Sequence, residues 1–468
     1  MKNNDFIPSL RDESQDLPKQ SKDSPSLAEG DTGGGLKAQN NSGVKFSNDK
    51  STHPLTPSAR EGVDLGLPSV RERGQVGKSH NDDKNYKRFA VCFVWSLLVA
   101  TFISIAFVAL LYIYDPLQIY HKPYFREIIF TVDSRIQIKG VLKNYDFDSF
   151  VWGTSMMENT LSKEAEQKLG GKWVNISSGS FALNERAVIL KYIFKHKQPK
   201  HFIFSLDVTH LVVTHTNDTK NYAFLYDDNE INDFKIYLNK KTISCAFRFS
   251  TSENCIGKKS LGNLISYTWG IDNEYKWRVR FGGIKQWLRY TYEFDNNANF
   301  NGGDLDIKDM KRMATALAYN PKSFTETIES NQQYVEENLL TFARANPNTK
   351  FSIVIPTYSR LFYRLNSEIF PKEKVILKWL VNEVANMENV AIYGFDDLPY
   401  ADDIANYKDL THYNIDMNSM QLDAIANGTH ILTPQNIDTY LATMESKIKN
   451  YDITPLIAEI KQWEAKQM

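Results

Sequence analysis

Short apolar segments alternate with amphipathic segments along the chain after residue 145. Five apolar segments are rich in β-branched or aromatic residues and are bounded by turn residues, as buried parallel strands are: 150–152, 173–176, 201–206, 351–355 and 390–393. Helical periodicity fills three of the gaps between them, at 161–169, 185–196 and 324–345. This alternation predicts an α/β fold with three layers and a parallel sheet in the middle.

A longer apolar segment, residues 89–114, contains no charged side chain. It exceeds the roughly 20 residues that a membrane-spanning helix needs, and tryptophan and tyrosine lie near its ends, as interfacial aromatic residues do. A cleaved signal peptide does not fit, because the segment is too long for one and is followed by no small-residue cleavage site. The segment predicts a single transmembrane helix.

Charged residues set the predicted orientation of this helix. Residues 84–88 include basic side chains, whereas Asp115 follows the apolar segment. The positive-inside rule then places residues 1–88 in the cytoplasm and residues 115–468 outside it, on the periplasmic or cell-surface side of the membrane. Residues 1–88 are polar and rich in glycine and proline, without apolar periodicity, so we expect a disordered tail.

The chain between the third and fourth predicted strands is longer than one crossover connection requires. Residues 221–320 therefore form a predicted insertion, either a lid or groove over the strand ends or a packed extension without a ligand. Within it, Cys245 and Cys255 flank a polar loop. They are expected to form a disulfide if this part of the chain lies outside the cytoplasm, and the alternative is two unrelated thiols.

Charge and motif content exclude several classes of function. The formal net charge is -1 and no basic stripe interleaved with aromatic residues occurs, so no nucleic acid partner is expected. A Walker-type glycine loop is absent, which argues against a nucleotide cofactor. His210 and His215 have no carboxylate or histidine partner at a spacing typical of metal ligands. They are therefore interpreted as ordinary loop histidines. Neither a cofactor nor a metal is predicted.

Gly153-Thr154-Ser155 follows the first predicted strand directly. Parallel strands of an open α/β sheet bring their carboxyl ends to the edge where ligands bind, so Ser155 is a candidate nucleophile. The same tripeptide also serves as an ordinary helix N-cap, and both interpretations stay open.

A second polar motif, Asp409-Leu410-Thr411-His412, precedes an amphipathic helix predicted at 415–426. The spacing lets one turn bring Asp409 and His412 to the same face, so that the carboxylate orients the imidazole while the other ring nitrogen faces a hydroxyl. A purely local turn capped by Asp409 is the alternative.

Together the two motifs resemble those of the SGNH (GDSL-like) hydrolase superfamily, in particular its membrane-tethered members in cell-surface polysaccharide O-acetylation and teichoic acid D-alanylation. The resemblance covers roughly residues 115–440 and implies a three-layer α/β/α fold. It also implies a Ser-His-Asp triad, with Ser155 as the nucleophile, His412 as the base and Asp409 as the acid that orients the base.

The resemblance further implies donors for an oxyanion, and the backbone N–H groups of Ser155 and Gly179 match two of them. After the third strand the superfamily has an asparagine, whereas this chain has Asp207, which cannot donate when it is ionised. Asn175 is therefore an alternative side-chain donor. The first motif also departs from the superfamily, because Thr154 stands where an aspartate is usual.

Residues at the same sheet edge complete the predicted site. Tyr358 and Arg360 follow the fourth strand and are candidate substrate contacts. Glu158 and Asn159 lie one turn beyond Ser155. They could line the same opening, but a solvated first helical turn is the preferred interpretation.

These features predict a membrane-anchored, extracytoplasmic serine acyl esterase or O-acyltransferase that acts on a cell-surface glycan or similar polymer. For transfer, the resemblance implies a separate multi-pass membrane acyltransferase as the partner that supplies acyl groups. The main alternative is a non-catalytic envelope protein that binds polymer or scaffolds a complex, which the missing asparagine favours. An esterase for small lipids is a third alternative, which the permanent tether disfavours.

Overall fold

The computed structural model describes residues 80–131, 133–257, 259–260, 281–288, 319 and 321–467. Most of the predicted disordered tail lies outside these ranges. Its last residues, 80–88, belong to the first helix, which extends from His80 to Tyr114. The helix therefore starts earlier than the apolar segment 89–114 indicated, because the polar residues before that segment continue its helical geometry.

The first helix, α1, has the length and composition of a membrane-spanning helix over Lys84–Tyr114. Its side chains are exposed along most of this length. Leu111 and Tyr114 are buried, so the rest of the protein packs only against the last turns of the helix. An apolar helix with an uncovered surface of this kind suits a lipid environment.

A mostly parallel sheet of six strands forms the centre of the structure. Its strands occur along the chain as β1 Ser149–Trp152, β2 Trp173–Asn175, β3 His201–Ser205, β4 Lys350–Val354, β5 Val390–Tyr393 and β6 Ile431–Leu432. The first five pair in parallel and confirm the five predicted strands, while β6 pairs antiparallel with β5. The sequence analysis did not predict β6.

The spatial order of the strands is β2-β1-β3-β4-β5-β6. Every residue of β1 is buried although successive side chains point to opposite faces, so both faces of the sheet are covered. The chain leaves β1 toward one neighbour and returns on its other side as β3, which is a topological switch point. The carboxyl ends of β1 and β3 therefore border the crevice in which such sheets bind ligands.

Helices connect and cover the strands. In chain order they are α1 His80–Tyr114, α2 Ser134–Asn144, α3 Ser162–Leu169, α4 Leu183–His196, α5 Val208–Val212, α6 Lys240–Phe247, α7 Glu253–Ile256, α8 Glu329–Val335, α9 Thr341–Ala345, α10 Arg360–Leu365, α11 Ile369–Glu383, α12 Ile415–Asn427, α13 Ile437–Asn450 and α14 Thr454–Gln467. Helices α3, α4 and α12 match predicted helices. The helix predicted at 324–345 begins only at Glu329, and a π-helical stretch, Glu336–Leu340, separates α8 from α9.

The predicted insertion, residues 221–320, is described in part. Cys245 at the end of α6 and Cys255 in α7 form a disulfide, in agreement with the first of the two sequence alternatives. The described part of the insertion contacts α1 and α2, since Phe247 packs on Phe107 and the Tyr226 hydroxyl donates to the carbonyl of Arg135. The lid prediction for residues 261–280 and 289–318 lies outside the described residues.

Candidate active site

Ser155 lies directly beyond the carboxyl end of β1. Gly153 makes the exit from the strand possible, because a Cβ at this position would lie 2.3 Å from Ser205 Oγ and 2.6 Å from Met157 Cγ. Thr154 then caps a short 3-10 helix, Ser155–Met157, and its side-chain oxygen accepts the N–H of Met156 at 3.3 Å. The capping function therefore belongs to Thr154, and the half-buried Ser155 keeps its hydroxyl for another partner.

That partner is His412. Ser155 Oγ and His412 Nε2 are 2.8 Å apart, and His412 Nδ1 lies 2.8 and 2.9 Å from the two carboxylate oxygens of Asp409. A carboxylate accepts but does not donate, so the proton of a neutral imidazole resides on Nδ1 and Nε2 is the acceptor that faces the serine. The structure thus brings Ser155, His412 and Asp409 into one continuous chain of hydrogen bonds.

The loop of Asp409 is a tight local turn and also contributes to this chain of hydrogen bonds. Oδ1 of Asp409 accepts the backbone N–H groups of Thr411 at 2.9 Å and His412 at 2.8 Å. Burial by itself raises the pKa of Asp409, but the adjacent His412 and the Lys408 ammonium outweigh it and hold the pKa well below its ordinary value. The carboxylate is ionised at neutral pH and keeps His412 in one orientation.

Two side chains hold the loops of the site together without facing the cavity. Asn418 on α12 donates from Nδ2 to the Met156 carbonyl and to Thr160 Oγ1, both at 3.0 Å. The Ser359 hydroxyl donates to the Leu410 carbonyl at 2.7 Å. The serine turn and the histidine loop are therefore fixed by α12 and by the chain that follows β4.

Ser155 and His412 open into a cavity of about 520 Å³. Volumes of this order are typical of small-molecule sites. Ser180, Asp207, Thr209 and Tyr358 also line this cavity. Its wall therefore combines a candidate nucleophile and a candidate base with several polar groups that follow the carboxyl ends of β1, β2, β3 and β4.

The structure separates the two predicted substrate contacts. Tyr358 is buried and lines the cavity, as Thr209 does. Arg360 is fully buried elsewhere, where its Nε donates to Asp402 Oδ1 at 2.9 Å and its Nη2 donates to the carbonyls of Asp396 and Leu398. Arg360 is a structural residue that joins neighbouring loops, because carboxylates and carbonyls after β5 engage its guanidinium.

The predicted oxyanion donors are also revised. Asn175 donates its side-chain N–H groups to the carbonyls of Met157 at 2.7 Å and Thr160 at 2.8 Å, so it braces the turn after Ser155. The Gly179 N–H donates to Glu158 Oε1 at 2.9 Å. Both groups are engaged inside the protein rather than directed at the cavity. In contrast, no acceptor for the Ser155 N–H occurs in the described part of the chain.

The interpretation of Glu158 and Asn159 as a solvated helical turn is wrong. Asn159 is buried, and Glu158 accepts the N–H of Gly179. Sequence spacing placed these residues one turn beyond Ser155 but did not show that the loop after β2 folds over them.

His210, interpreted from the sequence as an ordinary loop residue, lies buried in α5 and lines the cavity. Arg186 Nη2 donates to His210 Nδ1 at 3.2 Å. Because a guanidinium only donates, Nδ1 must be the acceptor, and the proton of the ring lies on Nε2. Burial, followed by the charge of Arg186, lowers the pKa of His210 to about 4 and keeps the ring neutral at neutral pH.

Next to His210, Asp207 supplies an acceptor. Its Oδ1 is buried without a hydrogen-bond partner among the described residues. The Nε2–H of His210 likewise has no acceptor in the described ranges. His215, in contrast, is exposed and pairs with Asn217 at 2.7 Å, as a loop histidine does. A signal for His210 was available in the sequence, since it stands one turn after Asp207 at a strand end.

Within the described residues, no group of three or more His, Cys, Asp or Glu side chains is arranged to hold a metal ion. Comparison with known proteins finds no family model that matches the chain and no curated protein with significant similarity to it.

Proposed function

We propose that this chain is a membrane-anchored, extracytoplasmic serine acyl esterase or O-acyltransferase of the SGNH type. The observation that carries the proposal is the hydrogen-bonded chain from Ser155 through His412 to Asp409 at the carboxyl edge of a parallel sheet. The strand order is compatible with the three-layer α/β/α fold that the SGNH resemblance implies. The proposed substrate is an acyl ester on a cell-surface glycan or similar polymer.

In the proposed reaction, Ser155 Oγ attacks the acyl carbonyl carbon while His412 Nε2 takes the hydroxyl proton. The ionised Asp409 stabilises the imidazolium that results. When the tetrahedral intermediate collapses, the bond between the acyl carbon and the leaving oxygen breaks, and His412 returns the proton to that oxygen. Water or a sugar hydroxyl then attacks the acyl-serine while His412 takes its proton. The bond between the acyl carbon and Ser155 Oγ breaks, His412 returns the proton to Oγ, and the acid or the transferred ester is released.

The negative charge on the intermediate requires fixed donors. We propose the backbone N–H of Ser155 and the Nε2–H of His210 for this role. His210 follows β3, where the superfamily has its asparagine, and Arg186 fixes its tautomer. Asp207 Oδ1 then remains as an acceptor for a hydroxyl or N–H of the substrate.

Two features support the proposed location. Helix α1 suits a single membrane anchor. The disulfide between Cys245 and Cys255 supports a domain outside the cytoplasm, because disulfides persist in oxidising compartments. If the protein transfers acyl groups, the proposed partner that supplies them is a multi-pass membrane acyltransferase.

The second candidate function is a non-catalytic envelope protein that binds polymer or scaffolds a complex. One observation favours it, namely that Gly179, a donor implied by the superfamily resemblance, has its N–H occupied by Glu158. Binding without chemistry needs the cavity but not a reactive serine.

Labelling of the full-length chain in detergent with a fluorophosphonate probe tests the first candidate. We expect the wild type to be labelled covalently and Ser155→Ala and His412→Ala to be unlabelled, because the probe reports a serine activated by its base. Ser446→Ala is the matched control, since this serine is exposed on α13 and outside the cavity. A folded wild type that stays unlabelled would contradict the catalytic proposal and favour the non-catalytic binding function.

A further inference from the structure

Aromatic side chains surround the end of α1 at which the rest of the protein begins. Four of them, which we call the aromatic collar, are Tyr124, Phe125, Phe247 and Phe249. Their exposed fractions are 67%, 51%, 66% and 48%. Clustered, exposed apolar side chains of this size mark an interaction surface rather than ordinary surface variation.

The collar contacts α1 directly. The rings of Phe247 and Phe107 lie 6.3 Å apart, and Phe249 contacts both Tyr114 at 6.4 Å and Phe125 at 5.5 Å. These contacts connect Phe125, Phe247 and Phe249 to the last two turns of the helix, and Tyr124 is adjacent to Phe125 in the chain.

The contact with Phe107 gives the height of the collar along the helix. A hydrocarbon core about 30 Å thick takes about 20 residues of α-helix. Counted from Phe89, where the uncharged segment 89–114 begins, a span of that length ends close to Phe107. Leu111, one turn later, is buried by protein. Phe247 therefore lies at the level where the hydrocarbon core meets the headgroups.

Two bonds fasten the part of the collar that contains Phe247 and Phe249. The Tyr114 hydroxyl donates to the Ser250 carbonyl at 2.7 Å and ties the loop of Phe249 to α1. On the other side of Phe247, the disulfide from Cys245 fixes the end of α6 to α7. The segment from Cys245 to Ser250, which carries Phe247 and Phe249, is thus fastened at both ends.

We infer that the aromatic collar inserts into the interfacial layer of the lipid bilayer that α1 crosses, with the exposed Arg248 between its two phenylalanines facing the headgroup phosphates. Aromatic side chains concentrate at this depth of a bilayer, and basic side chains favour its anionic surface. The inference rests on the membrane anchoring in the proposed function and is independent of the serine chemistry.

Depth-dependent fluorescence quenching tests the inference. The full-length chain with Cys92→Ser and Phe247→Cys carries an NBD label at position 247 and is reconstituted in phosphatidylcholine and phosphatidylglycerol vesicles with nitroxide lipids. The matched control carries the label through Val375→Cys, an exposed apolar position on α11. We expect quenching by a nitroxide near the headgroup at least about twofold stronger at position 247 than at position 375.

The native Cys92, exposed in α1, provides the internal reference. A label there that is quenched by acyl-chain nitroxides, while position 247 is as weakly quenched as position 375, overturns the collar inference and leaves the membrane anchor intact. A label at Cys92 that is not quenched would contradict both the proposed membrane anchor and the collar inference. Cross-linking of position 247 to a second copy at low protein-to-lipid ratio would assign the collar to a protein interface and also overturn the inference.

Discussion

Asp207, Arg186 and His210 show how one buried cation sets the chemistry of a cavity wall. Arg186 is fully buried, donates to the Ser205 carbonyl and to His210 Nδ1, and lies over the ring of Phe204. It leaves the imidazole of His210 only one place for its proton. The wall of the cavity therefore offers a neutral donor next to a carboxylate acceptor.

Substitution of His210 tests its proposed role as an oxyanion donor. We expect His210→Ala to lower the rate of fluorophosphonate labelling by about 100-fold, the usual effect of one lost donor. His210→Gln keeps an N–H on a side chain of similar reach, so it should recover part of the rate. Equal rates in the wild type and His210→Ala, with both proteins folded, would remove His210 from the donor set.

For individual residues, the sequence predicted the place in the fold better than the direction in which the side chain points. Ser155, Asp409 and His412 were recognised because short motifs place them, and the structure joins them by hydrogen bonds. Arg360 stands at the expected sheet edge, yet Asp396 and Asp402, from a distant segment, turn it inward. Local sequence carries no information on such distant partners.

Among the elements, the connection from β1 to the serine turn has little space around its glycine. A methyl group on Gly153 would meet Ser205 and Met157 at distances that real Cβ atoms do not tolerate. Gly179, in the loop after β2, has no atom within 4 Å of a built Cβ. The two glycines thus form a matched pair for one experiment.

We expect Gly153→Ala to destabilise the protein by about 1–3 kcal/mol, because the strand exit must shift to make room. It should also slow labelling of Ser155, which follows two residues later. Gly179→Ala should leave the melting temperature within the error of the wild type. Thermal unfolding of both variants measures the difference, and similar melting temperatures would contradict the steric argument.

The strands were predictable because parallel strands are buried on both faces and read as continuous apolar runs. The five predicted runs agree with β1 to β5 within one or two residues at each end. Strand β6 was missed because it has only two residues, too few to show a pattern. The π-helical stretch, Glu336–Leu340, was also missed, since helical periodicity does not distinguish it from an α-helix.

For the whole molecule, two histidines at opposite ends of β3, the half-buried His201 and the buried His210, link stability to pH. His201 begins β3, at the edge remote from the cavity, and its Nε2 lies 2.8 Å from Ser352 Oγ. Burial, followed by the charge of Lys350, lowers the pKa of His201 to about 4. His210 has a pKa lowered to a similar value.

The unfolded chain binds protons at these histidines near pH 6.5, whereas the folded chain does not until about pH 4. The unfolded state therefore gains protons first, and stability falls as the pH drops through this window, by on the order of 2–3 kcal/mol for each histidine. Asp396, whose pKa is raised by burial to about 7, acts in the opposite direction, because its carboxyl in the folded chain is already protonated in this window. We therefore expect the effect of the histidine in the comparison of variants: the melting temperature of His201→Gln should fall less with decreasing pH than that of the wild type. An unchanged slope in that variant would contradict the prediction.

The separation of Ser155 from His412 along the chain, 257 residues, has a consequence for biosynthesis. A ribosome delivers Ser155 long before His412, and β4, β5 and the Asp409 loop must all follow before the pair can meet. Under the proposed function and orientation, a growing chain with Ser155 already across the membrane has no base to activate this serine. The proposed reactivity then begins only after the late part of the polypeptide has emerged and packed against β1 and β3.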